Sequence, residues 1–278
     1  MDFNPVMWAL CRGGGGNSGG GSGGGGDNFP IGDGNTHIWI SLAEGRTSPM
    51  VGLAVNGTVT VDWGDGSEPD TLTGTSTSAV VYTPVHEYGK AGDYVITLIV
   101  DGEICFIGIS QGTYLLVNTA NMGGGEYRGA IQKCEFADTG TILGAMALGL
   151  TPSLTSVKFP ADAVAVPDQM FYSCTAIRSV TIPEGITTVG VGAFRLCSSL
   201  VNVHFPNSVM NISKEAFYQC RGVGYYDFSK HTNVPTLMAT SAFQLLPADC
   251  QIRVPAALAD EWKAATNWAT YADYIVGV

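Results

Sequence analysis

The sequence repeats every 23 residues between about Ile131 and Phe243. A proline column, a phenylalanine column and a cysteine column keep this period: Pro160, Pro183 and Pro206; Phe171, Phe194 and Phe217; Cys174, Cys197 and Cys220. Two apolar columns follow it as well: Ile177, Leu200 and Val223, and Val157, Val180, Val203 and Tyr226. Because chance does not align five columns at one period, this is a repeat array whose stacked units share a continuous core.

Each repeat unit predicts one short strand followed by one helical turn. Segments such as AIRSVTIP alternate apolar and polar residues, which is typical of a strand with one buried face. The proline that follows removes a ladder donor and ends the strand. Phenylalanine and cysteine then stand three residues apart, which places both on the inner side of a helical or 3₁₀ turn. The sequence therefore predicts a solenoid with a parallel sheet.

The segment IRSVTIPEGITTVGVGAFRLCSSL resembles the 23-residue leucine-rich repeat of BspA-type bacterial surface proteins. The resemblance covers about residues 131–278, with repeats predicted over 131–248 and a helical cap over 249–278. The ends of the array are irregular, since Thr151 occupies the cysteine column and Phe243 follows Phe217 by 26 residues. An aromatic stripe near the C-terminus predicts either a glycan platform or the cap, and the need to cover the last coil favours the cap: Trp268, Tyr271 and Tyr274.

Residues 27–108 predict a separate β-domain. Several strand-length apolar runs alternate with turn residues, which is typical of a sandwich. The segment VTVDWGDG, followed by HEY and then GDY, resembles a PKD domain, which implies an immunoglobulin-like β-sandwich. Residues 109–130 are predicted to connect this domain to the solenoid, with one strand at Tyr114–Val117. The predicted fold class is therefore mainly β: a PKD-like sandwich, then a leucine-rich-repeat solenoid with short helical turns and a C-terminal helical cap.

The acidic residues of the predicted sandwich allow a chemical and a structural interpretation. Asp62, Asp65 and Glu87 could form an acid/base pair or a calcium site, and His86 could be half of a catalytic dyad. However, Gly-Asp-Gly is the composition of a tight turn, and an EF-hand-like loop with alternating carboxylates and a distal glutamate is absent. No serine or cysteine nucleophile lies in a recognisable elbow. We therefore predict no catalytic residue, no metal site and no cofactor.

The chain has seven cysteines: Cys11, Cys105, Cys134, Cys174, Cys197, Cys220 and Cys250. Their number is odd and no C-x-x-C pair is present, so a zinc site is not indicated. Three of them share one column of the solenoid, where adjacent coils are about 4.8 Å apart and a disulfide needs Cβ atoms about 3.8 Å apart. We predict a ladder of buried free thiols.

The N-terminal segment predicts an anchor on a tether. Residues 1–12 hold an apolar cluster that is too short and too acidic at its start for a secretory signal: Val6, Met7, Trp8 and Leu10. Residues 13–26 are a flexible linker in which 11 of 14 positions are glycine. A phosphate-binding loop is the alternative for this run, but no Gly-Lys-Ser/Thr follows it.

The net charge and the length of the apolar runs argue against a nucleic-acid partner and against a membrane span. The net charge of −11 argues against nucleic acid, whose recognition needs clustered lysine and arginine. No apolar run approaches the roughly 18–20 residues that span a bilayer, so no membrane span is predicted.

The predicted ligand-binding residues are two outward columns on the strands of the solenoid. One column contains Ser156, Ser179, Asn202 and Tyr225, and the other contains Lys158, Thr181, His204 and Asp227. Solenoids usually bind partners on such surfaces, although a merely solvated sheet has the same pattern.

These features predict a non-enzymatic binding protein. The main prediction is a decoration or fibre-like adhesion protein on the surface of a bacteriophage virion. Residues 1–12 would dock on a capsid or tail protein, and the PKD-like and leucine-rich-repeat domains would face a surface glycan or a host surface protein. A first alternative is a bacterial cell-surface adhesin, exported by a route that the sequence does not reveal. A second alternative is a polysaccharide-active enzyme whose carboxylates cannot be paired from the sequence.

Overall fold

The computed structural model describes residues 32–109, 112–113, 115–117 and 127–278. The predicted anchor (1–12), the glycine linker (13–26) and Tyr114 lie outside the described residues. No helix among the described residues is both long and apolar enough to cross a membrane.

The N-terminal part is an antiparallel sheet of four strands, β1 (Thr36–Leu42), β2 (Met50–Asp62), β3 (Asp70–Tyr82) and β4 (Gly92–Phe106), in the order β1-β4-β2-β3. The short strands β5 (Gly108–Ile109) and β6 (Gly112–Thr113) pair with each other, and β7 (Leu116–Val117) pairs with β2. In β1 the alternation of the sequence places Ile38, Ile40 and Leu42 in the core.

Three glycines lie side by side across this sheet. Gly57 of β2 is the register partner of both Gly74 of β3 and Gly102 of β4. Gly57 and Gly102 have φ values of +126° and +123°, and a Cβ at any of the three would collide with the backbone of a neighbouring strand. Such a line of glycine permits a bend that no side chain would tolerate. One edge of β4 accordingly pairs with β1 before the line and with β9 (Thr141–Leu143) beyond it.

The predicted immunoglobulin-like sandwich is not confirmed. A sandwich requires two sheets, whereas the four long strands of the described residues belong to one hydrogen-bonded sheet. The physical reason is strand length combined with the glycine line. Strands of 13 and 15 residues, each with a glycine of this line in its interior, let the same strand take part in two regions of one sheet.

The repeats form a solenoid with two parallel sheets. One sheet contains β12 (Ser179–Thr181), β14 (Asn202–His204), β16 (Tyr225–Asp227), β18 (Gln251–Val254) and β19 (Ile275–Gly277). The other contains the two-residue strands β11 (Ala165–Val166), β13 (Thr188–Val189), β15 (Asn211–Ile212) and β17 (Thr236–Leu237). The strand predicted in each unit is therefore present. The second strand of each unit was not predicted, because a strand of only two residues shows no detectable alternation of apolar and polar side chains.

The predicted helical turn is present as hydrogen-bonded turns rather than as a helix. In one unit the N–H of Tyr172 donates to Gln169 O and the N–H of Cys174 donates to Phe171 O, at 3.0 and 3.1 Å. Two positions per unit have positive φ and recur with the repeat: Met146, Gln169, Gly192 and Glu215, and Leu150, Ser173, Leu196 and Gln219. These left-handed residues let the chain reverse direction within each unit.

The phenylalanine column forms a stack through the core. Ring centroids are 5.0 Å apart between Phe171 and Phe194, 5.1 Å between Phe194 and Phe217, and 5.3 Å between Phe217 and Phe243. All four rings are at most 1% exposed. The three additional residues of the last unit therefore do not interrupt the stack.

The cysteine column forms a ladder of thiol hydrogen bonds. The Sγ atoms of Cys174, Cys197 and Cys220 donate to the carbonyls of Leu148, Phe171 and Phe194, 26 residues earlier, at 3.1, 3.1 and 3.0 Å. The six described cysteines are all free and buried, and they include the predicted ladder of Cys174, Cys197 and Cys220. Burial raises the pKa of Cys174 to about 11 and that of Cys220 to about 12, so these thiols stay protonated at neutral pH.

The first strands of the solenoid join the N-terminal sheet. Strand β8 (Ile131–Glu135) pairs antiparallel with β1 and parallel with β10 (Ser156–Lys158). One cluster of buried apolar side chains runs from Ile38 to Ile275. Backbone hydrogen bonds and apolar packing therefore both connect the N-terminal sheet, before residue 108, with the solenoid, from residue 131 onward.

The parallel sheet is interrupted once. Within the described part of the chain, β10 and β12 form no hydrogen-bonded strand pair. At this interruption Val157 is only half-buried, whereas Val203, in the same column two coils later, is completely buried. The coils from β12 onward thus form one uninterrupted sheet, separate from β10.

The C-terminal residues cover the last coil. A 3₁₀ segment (Ala256–Leu258), α1 (Ala259–Ala264) and a second 3₁₀ segment (Trp268–Tyr274) follow β18. Trp262 and Trp268 are at most 1% exposed. The Trp268 indole N–H donates to Pro235 O at 2.7 Å, and the Asn267 amide donates to Leu237 O at 2.6 Å, which satisfies carbonyls at the open edge of β17.

Candidate binding face of the solenoid

We define the strand face as the outward side chains of β12, β14, β16 and β18. Parallel register aligns them in two columns: Ser179, Asn202, Tyr225 and Gln251, and Thr181, His204, Asp227 and Arg253. Between the columns lie Val180, Val203, Tyr226 and Ile252, which point into the core. Six of the eight sequence-predicted binding residues therefore lie together on one rigid surface.

The other two predicted residues, Ser156 and Lys158, lie beyond the interruption between β10 and β12. Ser156 is only 3% exposed, so a ligand has little access to it. Lys158 is bound internally, because its Nζ lies 2.9 Å from Glu135 Oε1 and 3.5 Å from Asp138 Oδ1. The hydrogen bond that Lys158 donates to Glu135 raises the pKa of Lys158. Both residues thus belong to the junction with the N-terminal sheet.

His204 and Asp227 form a pair on the strand face. His204 Nδ1 lies 3.1 Å from Asp227 Oδ2, and the other carboxylate oxygen accepts the N–H of Ser229 at 3.0 Å. Partial burial by itself raises the pKa of Asp227, but the hydrogen bonds from Ser229 and His204 outweigh it and lower the pKa overall. His204 is 44% exposed, so its ring remains accessible to a partner.

Arg253 is stacked on an aromatic ring of the same face. Its guanidinium carbon lies 4.0 Å from the centroid of the Tyr225 ring, and its Nε donates to Gln251 Oε1 at 3.0 Å. The edge of the His204 ring packs against Tyr225 with centroids 5.7 Å apart. These contacts fix the orientation of the guanidinium above the sheet.

Gln251 and Arg253 were not among the predicted binding residues. They continue the two outward columns, but the last unit is longer than 23 residues and the period alone does not align them with Tyr225 and Asp227. The segment QIRVP, an alternating strand ending in proline like the earlier units, is the signal that could have identified them.

The residues around the WGDG turn form a structural cluster. The His86 ring stacks on Trp63 with centroids 4.4 Å apart, and His86 Nε2 lies 2.9 Å from Asp65 Oδ2. Asp65 also accepts the N–H of Ser67 at 3.0 Å, as the turn interpretation predicts. Burial alone raises the pKa of Asp65, and the bonds from Ser67 and His86 lower it overall. The Tyr88 hydroxyl donates to Trp63 O at 2.9 Å.

No group of three or more metal-ligating side chains occurs within the described ranges of the chain. Asp62, the remaining carboxylate of the WGDG segment, accepts the N–H of Gly64 at 2.9 Å. Glu87 accepts a hydrogen bond from the Ser48 hydroxyl. These acidic groups thus have structural partners, and they are not gathered around a common position.

Comparison with known proteins supports the repeat assignment. The family profile of the BspA type leucine rich repeat region matches residues 126–244 in six copies. These repeats are therefore BspA-type leucine-rich repeats, and the matched residues do not include the predicted PKD domain. A search of curated proteins finds no significant match.

Solved structures also resemble part of the chain. One of them is a leucine rich cell surface protein from Faecalibacterium prausnitzii A2-165, with 21% sequence identity and a TM-score of 0.32. The similarity covers 47% of this chain and 36% of that protein, so the chain spans about a third of its length.

Proposed function

We propose that this protein is a non-enzymatic adhesion module of a bacterial cell surface, and that its strand face contacts a glycan or a protein of the opposing surface. The observation that carries the proposal is the strand face itself. Four hydrogen-bonded strands present two continuous columns of polar side chains above a fully buried apolar column. A rigid sheet of this kind positions many weak contacts at a fixed spacing, which favours recognition of an extended partner.

The bacterial surface is favoured over the virion surface. BspA-type repeats are, by the resemblance stated above, repeats of bacterial surface proteins, and the matched profile is that of a BspA type leucine rich repeat region. The virion interpretation depended on docking of residues 1–12 to a capsid or tail protein, and those residues lie outside the described part of the chain.

A binding role is favoured over catalysis because the acidic residues have structural partners. Asp65 is bound to His86 and Ser67, and Asp227 is bound to His204 and Ser229. A glycoside hydrolase needs two carboxyl groups facing one another across a substrate site. Incubation with mucin-type and plant polysaccharides should accordingly release no new reducing ends.

The proposal is tested by adhesion of the full chain to mucin-coated and epithelial-cell surfaces. The double variant Tyr225→Ala/His204→Ala should lose most of the binding, because both exposed rings of the strand face are removed. The matched control is Thr188→Ala/Asn211→Ala, on the outward positions of β13 and β15 in the second sheet. Equal adhesion of both double variants and the wild type would show that the strand face is not the binding surface.

A further inference from the structure

Arg253 differs from the other basic residues whose ion pairs are described. Lys158 is paired with Glu135, Arg195 with Glu215, and His204 with Asp227. Among the described residues, no carboxylate oxygen lies within 4.0 Å of a nitrogen of Arg253. Within the described part of this chain, whose net charge is −11, the half-buried Arg253 thus has no internal counter-charge.

The neighbouring carboxylate is turned away from Arg253. Asp227 is the register partner of Arg253 on the adjacent strand. Its two oxygens are engaged by His204 and by the N–H of Ser229, so it is directed to the other side of the column. Arg253 instead leans across to Tyr225, which lies one strand back in the other column.

The guanidinium is already ordered in the orientation that an anion requires. Stacking on Tyr225 fixes the plane of the group, and the bond from Nε to Gln251 fixes its rotation within that plane. In the described structure these contacts leave the two terminal nitrogens without a partner. Two terminal N–H groups side by side match the two oxygens of a carboxylate. Because the side chain is ordered before binding, little conformational entropy is lost when the anion arrives.

We propose that Arg253, Tyr225 and Gln251 form a site for the carboxylate of an acidic sugar residue, a uronic or sialic acid. This inference rests on the proposed function, since it specifies the ligand class of the same strand face. The carboxylate accepts two hydrogen bonds from the terminal nitrogens of Arg253. The sugar hydroxyls are recognised by the amide and hydroxyl groups of the adjoining column, Asn202 and Ser179, which follow at strand spacing, about 4.8 Å each.

An acidic sugar fits this surface better than an acidic peptide. Peptides that bind sheets usually add a strand to an open edge or insert apolar side chains into pockets. The inner strands β14, β16 and β18 are paired on both sides, so their backbone groups are engaged. The outward columns consist of serine, threonine, asparagine, glutamine, histidine, tyrosine, aspartate and arginine, which offer hydrogen bonds rather than apolar pockets.

The test is titration of the full chain with polygalacturonate, with neutral galactan as the uncharged comparison and sialyllactose as a second acidic probe. The wild type should bind an acidic probe and bind galactan at least tenfold more weakly. Arg253→Gln should lower the affinity for the acidic probe at least tenfold. Arg253→Lys, which keeps the charge but loses the paired donors, should also weaken binding clearly. Lys263→Gln, an exposed position of α1 with the same loss of charge, should stay within twofold of the wild type.

Folding and specificity are controlled in the same experiment. All variants should share the thermal midpoint of the wild type within a few degrees, which shows that they fold normally. Failure of the wild type to bind either acidic probe, or equal affinity of Arg253→Gln and Lys263→Gln, overturns the inference. The inference is also overturned if a polyglutamate peptide binds with the same affinity and the same dependence on Arg253, because the site would then recognise negative charge alone.

The two proposals can fail separately. If the wild type adheres to mucin and cells but Arg253→Gln and Lys263→Gln bind the acidic probes equally well, the adhesion role stands and the acidic-sugar site is wrong. If the wild type binds polygalacturonate through Arg253 but adheres to no cell or mucin surface, the site stands and the adhesion role is wrong.

Discussion

The N-terminal sheet and the solenoid build one continuous core by different means. In the solenoid, the same side chain returns at the same place, so that Phe171, Phe194 and Phe217 stack at nearly constant distances of 5.0 and 5.1 Å. In the N-terminal sheet, the register pairs unlike residues from strands far apart in the chain, such as Thr36 with Leu98. Repetition lets strands of two or three residues suffice, whereas the N-terminal sheet needs strands of up to 15 residues.

The two regions also relieve backbone strain differently. The N-terminal sheet places glycine where β2 and β4 require positive φ, at Gly57 and Gly102. The solenoid places ordinary side chains at positive φ in every unit, including Leu150 and Leu196. A non-glycine residue in this region costs roughly 1–2 kcal/mol, and the stacked core has to offset that cost once or twice per unit. The repeat array thus tolerates backbone strain at non-glycine residues, whereas the single bend in the N-terminal sheet does not and uses glycine.

Removing a ring from the phenylalanine stack should produce the largest effect. Phe194→Ala should destabilise the solenoid by about 3–5 kcal/mol, because the ring is completely buried between two others. Denaturant unfolding with hydrogen exchange should show loss of protection in the coils from β12 onward, while β2 and β3 stay protected. A change under about 1 kcal/mol, or equal loss of protection in both regions, would contradict the view that each coil depends chiefly on its neighbours.

Adding a methyl group at the glycine line should affect the N-terminal sheet first. Gly57→Ala should cost about 1–3 kcal/mol from backbone strain, and more from the collision with the Asp101 backbone. Gly89→Ala is the control, since a Cβ there meets open space at an ordinary φ. Hydrogen exchange should place the loss in β2, β3 and β4. If the two substitutions are equally tolerated, the glycine line is not what allows these strands their shape.

The ion pair at the junction should connect the two regions. Glu135→Gln should cost about 1 kcal/mol, because Glu135 is 2% exposed but Lys158 is 37% exposed and can be solvated. Since β8 belongs to both regions, protection should fall in β1 and in β10 together. Asp138→Asn is the control, as that carboxylate is 58% exposed and more distant.

The Lys158–Glu135 ion pair should also make the folding stability of the wild type depend on pH. The hydrogen bond to Glu135 raises the pKa of Lys158 above its usual 10.5, so the stabilisation is fully present below about pH 10.5 and is lost as the pH rises through the higher folded-state pKa. The difference between Glu135→Gln and the wild type should therefore shrink at strongly alkaline pH. A constant difference at every pH would mean that the pair itself is not responsible.

The smallest effect is expected at the His204–Asp227 pair. The lowered pKa of Asp227 stabilises the folded state above the unfolded value of 3.8, and this contribution is lost as the pH falls through the folded-state pKa. Asp227→Asn should therefore cost less than about 1 kcal/mol at neutral pH, and its thermal midpoint should approach that of the wild type in acid. A difference that widens on acidification would reverse this assignment.

Much of the solenoid follows from the sequence by itself. The period determines that Phe194 lies between Phe171 and Phe217, that the cysteines form one buried column, and that Asn202, Tyr225 and their neighbours point outward. Each of these contacts joins residues one repeat apart, so the same interaction recurs in several units of the chain. The WGDG turn is likewise local, and its predicted role for Asp65 agrees with the bond to Ser67.

Only the tertiary structure decided the junction and the composition of the site. The Ala137 N–H donates to Thr36 Oγ1 across 101 residues, and β8 pairs with β1, although no period relates the β1 segment to the repeats. Burial of Ser156 follows from the same junction. The Arg253 side chain extends diagonally from its own outward column to the other one, and its guanidinium therefore lies over the Tyr225 ring. The physical reason is that a period specifies which strand is the neighbour, whereas non-repeated pairings and side-chain directions depend on contacts that occur once.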